Sequence, residues 1–368
     1  AVLAVVLHHA FGNLYTWGTP SMDWVHGHFM GGFGVDLFFA ISGFVIARDL
    51  VPRLLAATDR RQAWRQTLAF WIRRAGRLLP SAWLWLGLML LASVVFNQTG
   101  AFGSFAVNLD ATLAGVLQIA NVRFANTFMQ SPYGASFVYW SLSLEEQFYL
   151  LLPLLVLLSR RYLPHVLIVV VLFQWLSARS LMMLMFRTDA IALGVLLALW
   201  STTPGYQRAR PIFLGNPRWL GTLLMLALYL LMGLIGSEVL PAPDHRFSLH
   251  AMIAIVLVWI ASCDLNLFFP WAPLKRGFLW VGSRSYAIYL IHVPVFFATR
   301  EIWTRLQPAQ GFDASHFWAF TLTAAALLLL FSELNYRYIE TPLRLRGSAI
   351  AKRYGGQGSN VQQGQPTG

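Results

Sequence analysis

Ten long runs of apolar residues recur along the chain and constrain its fold more than any other feature of the sequence. A transmembrane helix needs about 20 predominantly apolar residues, with a range of about 17–25. The ten runs have this length or nearly so, and they cover residues 1–17, 31–50, 78–97, 140–158, 163–178, 184–200, 218–236, 249–265, 279–298 and 316–336. Only 11% of the residues are charged, against about 25% in soluble proteins. The sequence therefore predicts an all-α integral membrane protein, a bundle of about ten transmembrane helices.

The basic residues lie between the apolar runs and predict an orientation. The formal net charge of +12 alone would suit nucleic acid, but loops rich in arginine are typical of the cytoplasmic side of a membrane. If the first run leaves from the cytoplasm, 20 of the 27 Lys and Arg residues fall in cytoplasmic loops and five fall in outer loops. We therefore predict that both termini are cytoplasmic, that a lipid bilayer surrounds the chain, and that nucleic acid is not a partner.

Three segments differ from the apolar runs. Residues 51–77 mix arginines with aromatic residues, a pattern typical of an amphipathic helix at the membrane surface. Residues 98–139 form a long outer connection, and residues 347–368 have the composition of a disordered segment. We assign residues 1–346 to one membrane domain, whose first helix is already under way at Ala1 and is expected to lack its beginning, and we assign the rest to a disordered C-terminal tail.

A few ionisable residues lie within the apolar runs, where charge is costly and often functional. In the predicted orientation three carboxylates, two imidazoles and one guanidinium share one depth: Asp36, Glu145, Asp189, His9, His292 and Arg187. An imidazole beside a carboxylate is the pairing that general-base catalysis uses, because the carboxylate fixes the tautomer. From these residues alone, catalysis, an ion path and a polar packing network remain alternatives.

Helical spacing places further polar side chains on the same faces, since residues four and seven positions apart align along a helix. One predicted stripe joins Glu145 to Ser141 and Tyr149. The other joins His292 to Ser285 and Tyr289. The spacing therefore predicts hydroxyl groups beside the ionisable residues of two different helices.

Six motifs follow one another along the chain. They are FGVDLFFAISGFVI (33–46), FWIRRAGRLLP (70–80), WSLSLEEQFYLLLPLL (140–155), FRTDAIALGVLLA (186–198), GSRSYAIYLIHVPV (282–295) and YRYIETPLR (336–344). With the opening run AVLAVVLHHA, in which His9 takes the position of the family's histidine, this series resembles the membrane acyltransferase-3 family, sugar O-acyltransferases of the stand-alone membrane type. The resemblance extends over most of the chain.

The resemblance implies an O-acyltransferase at the bacterial inner membrane. It would move an acyl group, above all acetyl, from cytoplasmic acyl-CoA to a hydroxyl of a cell-envelope or exported saccharide. Acyl-CoA is then a donor substrate, no cofactor is bound, and proteins of polysaccharide biosynthesis are further expected partners. We also expect no metal, because two histidines in one loop, His26 and His28, are too few ligands.

The resemblance also implies roles for individual residues. His9 is expected to be the general base or the first acyl acceptor, oriented by Glu145 or Asp36. Three arginines at the mouth of the third span suit the phosphates of coenzyme A: Arg73, Arg74 and Arg77. Five more residues are expected to contact substrate: Ser42, Trp140, Tyr149, Arg187 and His292. Of these, we expect Ser42, Tyr149 and Arg187 to stabilise an oxyanion.

Two other classes of function fit a bundle with buried charges less well. A proton-coupled transporter of a small solute would also place ionisable groups at depth, but such proteins often contain related halves, and we find no internal repeat. A membrane anchor would not need carboxylates in three spans. The transporter is therefore the main alternative to the acyltransferase.

Overall fold

Helices make up the regular structure of the protein. The computed structural model describes residues 1–178, 180–215, 217–240, 245–265, 272–308 and 311–355, and no strand occurs among them. The α-helices are α1 (Val2–Asn13), α2 (Pro20–His28), α3 (Gly34–Leu55), α4 (Arg60–Val95), α5 (Phe105–Val116), α6 (Ala120–Thr127), α7 (Tyr139–Ser159), α8 (Leu163–Leu176), α9 (Leu181–Met185), α10 (Asp189–Trp200), α11 (Pro204–Ala209), α12 (Arg218–Gly236), α13 (Arg246–Ser262), α14 (Ala272–Ser283), α15 (Ser285–Leu306), α16 (Phe317–Leu334) and α17 (Thr341–Gly355). A π-helix, Asn335–Glu340, joins α16 to α17. The all-α prediction is confirmed.

Fewer helices than predicted have the length and composition of a membrane span. Among the described residues five helical runs qualify: Arg60–Val95, Tyr139–Leu176, Leu181–Trp200, Trp219–Gly236 and Ala314–Tyr354. A sixth is formed if α2 and the segment Gly31–Leu55, which meet at a bend of 43°, count as one span. Other apolar helices are shorter, such as α1 with 12 residues and α13 with 17. The predicted count of about ten spans is therefore not confirmed.

The basic segment before the third predicted span is not a separate surface helix. Helix α4 runs without interruption for 36 residues, and the side chain of Asp59 caps it by accepting a hydrogen bond from the backbone N–H of Gln62. At about 1.5 Å per residue such a helix is roughly 54 Å long, more than the ~30 Å hydrocarbon core requires. The prediction of one amphipathic helix over 51–77 is corrected, because α3 extends to Leu55, a short turn covers 56–59, and residues 60–77 belong to α4.

Two glycines bring α3 and α10 into backbone contact. A Cβ atom on Gly43 would lie 2.1 Å from the carbonyl oxygen of Ile191, and one on Gly194 would lie 2.3 Å from that of Ala40. Small residues allow helices to approach closely in membranes. This contact fixes α10 against α3 and thereby places Arg187, just before α10, beside the first turn of α3.

The C-terminal segment packs along the first half of α4. A Cβ atom on Gly76 would lie 3.0 Å from the Cα atom of Gly347, so the two helices meet at a pair of glycines. This packing keeps residues 347–355 helical, which corrects that part of the predicted disordered tail. Residues 356–368 lie outside the described residues.

Candidate functional site

The two histidines predicted for the site are in direct contact. Nδ1 of His9 lies 2.8 Å from Nε2 of His292, and the two rings stack with centroids 5.1 Å apart. Nδ1 of His292 lies 2.8 Å from the carbonyl oxygen of Tyr289, which only accepts hydrogen bonds. In the neutral pair His292 therefore donates through Nδ1 and accepts through Nε2, so His9 donates through Nδ1. Nε2 of His9 keeps its lone pair.

Local structure holds His9 near the end of the first helix. Phe11 and Gly12 are not helical, and Gly12 has a φ of 78°, a conformation that favours glycine. The side-chain amide of Asn13 donates to the carbonyl oxygen of His9 at 2.8 Å. The His292 side chain is fully buried and that of His9 is half-buried, so His9 is the more accessible of the two.

A second cluster comprises Ser42, Glu145 and Tyr149. Ser42 donates to Oε1 of Glu145 at 2.5 Å, and the Tyr149 hydroxyl donates to the same oxygen. Glu145 and Tyr149 lie four residues apart on α7, which is the predicted stripe. Its third member, Ser141, forms a 2.7 Å hydrogen bond with the Tyr289 hydroxyl of the other stripe. The predicted proximity of hydroxyl groups to Glu145 is confirmed.

Asp36 and Arg187 form a sealed ion pair. Nε and Nη2 of Arg187 donate to the two carboxylate oxygens of Asp36 at 2.9 and 3.3 Å, and both residues are buried. The guanidinium carbon lies 5.0 Å from the centre of the Trp140 ring and 4.6 Å from that of Phe247. Arg187 is thus enclosed by a carboxylate and two aromatic rings, an arrangement that suits a buried guanidinium.

His250 also contacts this pair, and the sequence analysis missed it. Its Nδ1 lies 3.9 Å from the Asp36 carboxylate, and its Nε2 lies 2.9 Å from the carbonyl oxygen of Met232. The signal in the sequence is a histidine inside the apolar run 249–265, comparable to His292 in the run 279–298.

Several role predictions change with these contacts. In the described part of the chain His292, and not Glu145 or Asp36, makes the hydrogen bond to the ring of His9. Arg187 is held by Asp36 and is not placed to stabilise an oxyanion in the cavity. The sequence predicted one common depth for Asp36 and Glu145. Asp36 and Ser42 lie six residues apart on α3, about 9 Å along its axis. Because Ser42 binds Glu145, the two carboxylates lie at different depths.

A cavity of about 950 Å³ adjoins one of these clusters. Its wall combines many apolar side chains with polar ones, among them Arg74, Arg77, Ser42, Glu145, Tyr149, Ser141, Ser285 and Tyr289. His9, His292 and Trp140 are not part of the described wall. Tyr289 connects the cavity with the His9–His292 pair, because it lines the cavity and its carbonyl oxygen accepts the hydrogen bond from His292.

The three arginines of the basic motif separate into two groups. Arg74 and Arg77 lie three residues apart on one face of α4 and line the cavity, and the guanidinium carbon of Arg74 lies 5.4 Å from the centre of the Tyr149 ring. Arg73 is turned by about 100° from Arg74 along the helix, and its guanidinium lies 3.9 Å from Asp49. The prediction that all three face one substrate is corrected for Arg73.

Comparison with known proteins identifies similar sequences along most of the chain. The acyltransferase-3 family, described as an acyltransferase domain, matches residues 1–333. The peptidoglycan O-acetyltransferase OatA of Listeria monocytogenes is 28% identical over 94% of this chain and 54% of its own length. A putative peptidoglycan O-acetyltransferase of Bacillus subtilis, YrhL, is also 28% identical with the same coverage, and O-acetyltransferase OatA of Staphylococcus aureus is 26% identical over 94% and 56%.

The chain spans about half the length of these curated relatives. No solved structure matches it. The family match nevertheless covers far more than half of the chain and includes both histidines, both polar clusters and the cavity arginines. This chain therefore belongs to the acyltransferase-3 family.

Proposed function

We propose that this protein is a membrane-embedded O-acetyltransferase that transfers an acetyl group from acetyl-CoA to a hydroxyl of a cell-wall saccharide. The observation that carries the proposal is the His9–His292 pair, which leaves Nε2 of His9 as a base in a protein of an acyltransferase family. Peptidoglycan, the substrate named for the relatives, is the type of acceptor that we expect. Family membership favours transfer over the alternative of proton-coupled transport.

His9 acts as the general base in this proposal. Its Nε2 takes the proton of the acceptor hydroxyl while the hydroxyl oxygen attacks the thioester carbonyl. The new C–O bond forms, the C–S bond breaks, and the proton passes from the His9 imidazolium to the coenzyme A thiolate. His292 supports the imidazolium, because its Nε2 accepts the hydrogen bond from Nδ1 of His9 throughout.

The donor enters from the end of the cavity that carries the two arginines. Arg74 and Arg77 face one side of α4 and offer guanidinium groups to the phosphates of coenzyme A. Ser141 lies eight residues before Tyr149 on α7, so the cavity wall extends about 12 Å between them. A slender acyl-pantetheine arm can follow this wall toward Tyr289, whose carbonyl oxygen binds His292.

The Glu145 cluster orients the arm of the donor in this scheme. Two hydroxyl groups donate to Oε1 of Glu145, which leaves Oε2 to accept from an N–H or O–H group of the substrate. Ser42 and Tyr149 are held by Glu145, and each is near enough to the cavity to exchange that bond for one to an oxyanion. Their contribution to transition-state stabilisation is therefore proposed to develop during the reaction.

The proposed membrane arrangement follows from the charge distribution. We place both termini and the two cavity arginines on the cytoplasmic side of the bacterial inner membrane, where acetyl-CoA is available. The basic loops support this orientation. Proteins of polysaccharide biosynthesis would supply the acceptor on the other side.

The proposal is tested with purified protein, acetyl-labelled acetyl-CoA and a saccharide fraction from cell envelopes. Wild type is expected to transfer label to the saccharide as an ester, and His9→Ala is expected to lose transfer by about 10²–10⁴-fold, the usual contribution of a general base. His8→Ala is the matched control, because His8 is adjacent in sequence but makes no hydrogen bond to His292 in the described structure. Wild type that binds donor and transfers no label to any envelope saccharide would contradict the proposal.

A further inference from the structure

The π-helix between α16 and α17 lies against α4 in a defined register. The Trp85 indole N–H donates to Oδ1 of Asn335 at 3.1 Å, and the Asn335 amide donates to Ser81 at 3.1 Å. The contact between Gly76 and Gly347 continues the same antiparallel packing about two helical turns beyond Glu340. Residues at the C-terminal end of the π-helix therefore face α4 near Arg77.

The π-helix has a geometric consequence for Glu340. In an ordinary α-helix, residues five positions apart point about 140° away from each other. The wider π-helical turn, with hydrogen bonds between residues five apart, brings such residues toward one face. Asn335 and Glu340 are both buried as a result, with exposed fractions of 4% and 2%.

The backbone packing places Glu340 near arginines of three elements, since a Cβ atom on Gly76, next to Arg77, would lie 3.2 Å from the carbonyl oxygen of Leu343. Arg77 on α4, Arg284 at the start of α15 and Arg344 on α17 all interact electrostatically with its carboxylate. Arg284 has another carboxylate partner, since its Nε donates to Glu333 at 2.8 Å. In the described part of the chain, Nε of Arg77 and Oε2 of Glu340 are both buried without a hydrogen-bond partner.

We propose that Glu340 is a positioning residue that holds the Arg77 guanidinium at the cavity wall. Without this buried carboxylate, Arg77 would lose the acceptor nearest to it on the neighbouring helix, and we expect its guanidinium to turn away from the cavity wall. Arg77 itself lines the cavity that we assign to the donor. This inference rests on the proposed function, because the ligand of Arg77 is the phosphate portion of acetyl-CoA.

The test compares acetyl-transfer kinetics of wild type and Glu340→Gln at varied acetyl-CoA. We expect the donor KM to rise about tenfold and kcat at saturating donor to stay within about twofold, because binding and not the chemical step is affected. The direction of the change in donor KM distinguishes a positioning role of Glu340 from a simple effect of its charge. If Glu340 acted only through its charge, its removal would make the cavity mouth more positive and would lower the donor KM.

Two further variants complete the experiment. Glu333→Gln is the matched control: this carboxylate lies on the preceding turns, binds Arg284 and Arg337, and should leave the donor KM unchanged. The double variant Glu340→Gln with Arg344→Gln removes one competing guanidinium and should return the donor KM to within about threefold of wild type. If Glu340→Gln fails to purify as a folded protein, Glu340→Asp replaces it, with an expected rise of about threefold in donor KM.

An unchanged or lower donor KM in folded Glu340→Gln would overturn the inference, as would an equal rise in Glu333→Gln. Failure of the proposed function gives a different result, because wild type itself would then transfer no acetyl group. The two hypotheses are therefore distinguishable in one set of assays.

Discussion

The His9–His292 pair and the Asp36–Arg187 pair have opposite relations to their surroundings. In the second pair, Arg187 donates to both oxygens of Asp36, and two aromatic rings cover the guanidinium. In the first pair, one imidazole is fixed by a backbone carbonyl and the other keeps a free lone pair. A polar pair with satisfied groups holds helices together, whereas a pair with one unsatisfied basic nitrogen is able to take a proton.

The largest expected effect concerns the stability of the sealed pair. Asp36→Ala leaves Arg187 as a buried, unpaired charge, which is expected to cost about 3–5 kcal/mol of unfolding free energy. The double variant Asp36→Ala with Arg187→Met is expected to be more stable than Asp36→Ala alone. Thermal unfolding in detergent measures both. A double variant no more stable than Asp36→Ala would show that the pair is not a coupled unit.

The second effect concerns catalysis at the histidine pair. His292→Ala removes the acceptor that fixes the His9 tautomer, so kcat is expected to fall by about 10²-fold, with a donor KM close to that of wild type. Steady-state acetyl transfer measures this change. His250→Ala is the comparison, since His250 is also buried and contacts Asp36 but not His9. Equal losses of kcat in the two variants would contradict the separate roles of the two pairs.

The smallest effect concerns the arginines of α4. Arg74→Ala is expected to weaken acetyl-CoA binding about tenfold, because Arg74 lines the cavity. Arg73→Ala should change it by less than about twofold, because Arg73 turns toward Asp49. Equilibrium binding of acetyl-CoA to detergent-purified protein measures both. If Arg73→Ala weakens binding as much as Arg74→Ala, the division of the basic motif into two faces is wrong.

Local patterns in the sequence predicted features that depend on one helix. The stripe of Ser141, Glu145 and Tyr149 required only the helical repeat, and the structure confirms it. Apolar run length likewise predicted the all-α class. The number of spans was less predictable, because an apolar run does not reveal where a helix bends, continues or ends, as in the single long helix α4.

Pairings between distant helices were not available from the sequence. Asp36 and Arg187 are 151 positions apart, and His9 and His292 are 283 apart, so which imidazole or guanidinium meets which carboxylate depends on how the bundle packs. The backbone contact through Gly43 and Gly194 decides one of these pairings. Sequence reasoning expected Glu145 or Asp36 beside His9, whereas the ring of His9 contacts His292.

In the proposed mechanism, Nε2 of His9 takes the proton of the acceptor hydroxyl. The most direct test of this step measures acetyl-CoA binding and acetyl transfer in the same preparations of wild type and His9→Ala. We expect donor affinity of His9→Ala within about twofold of wild type and transfer reduced by about 10²–10⁴-fold. Transfer by folded His9→Ala at the rate of wild type would contradict this mechanism.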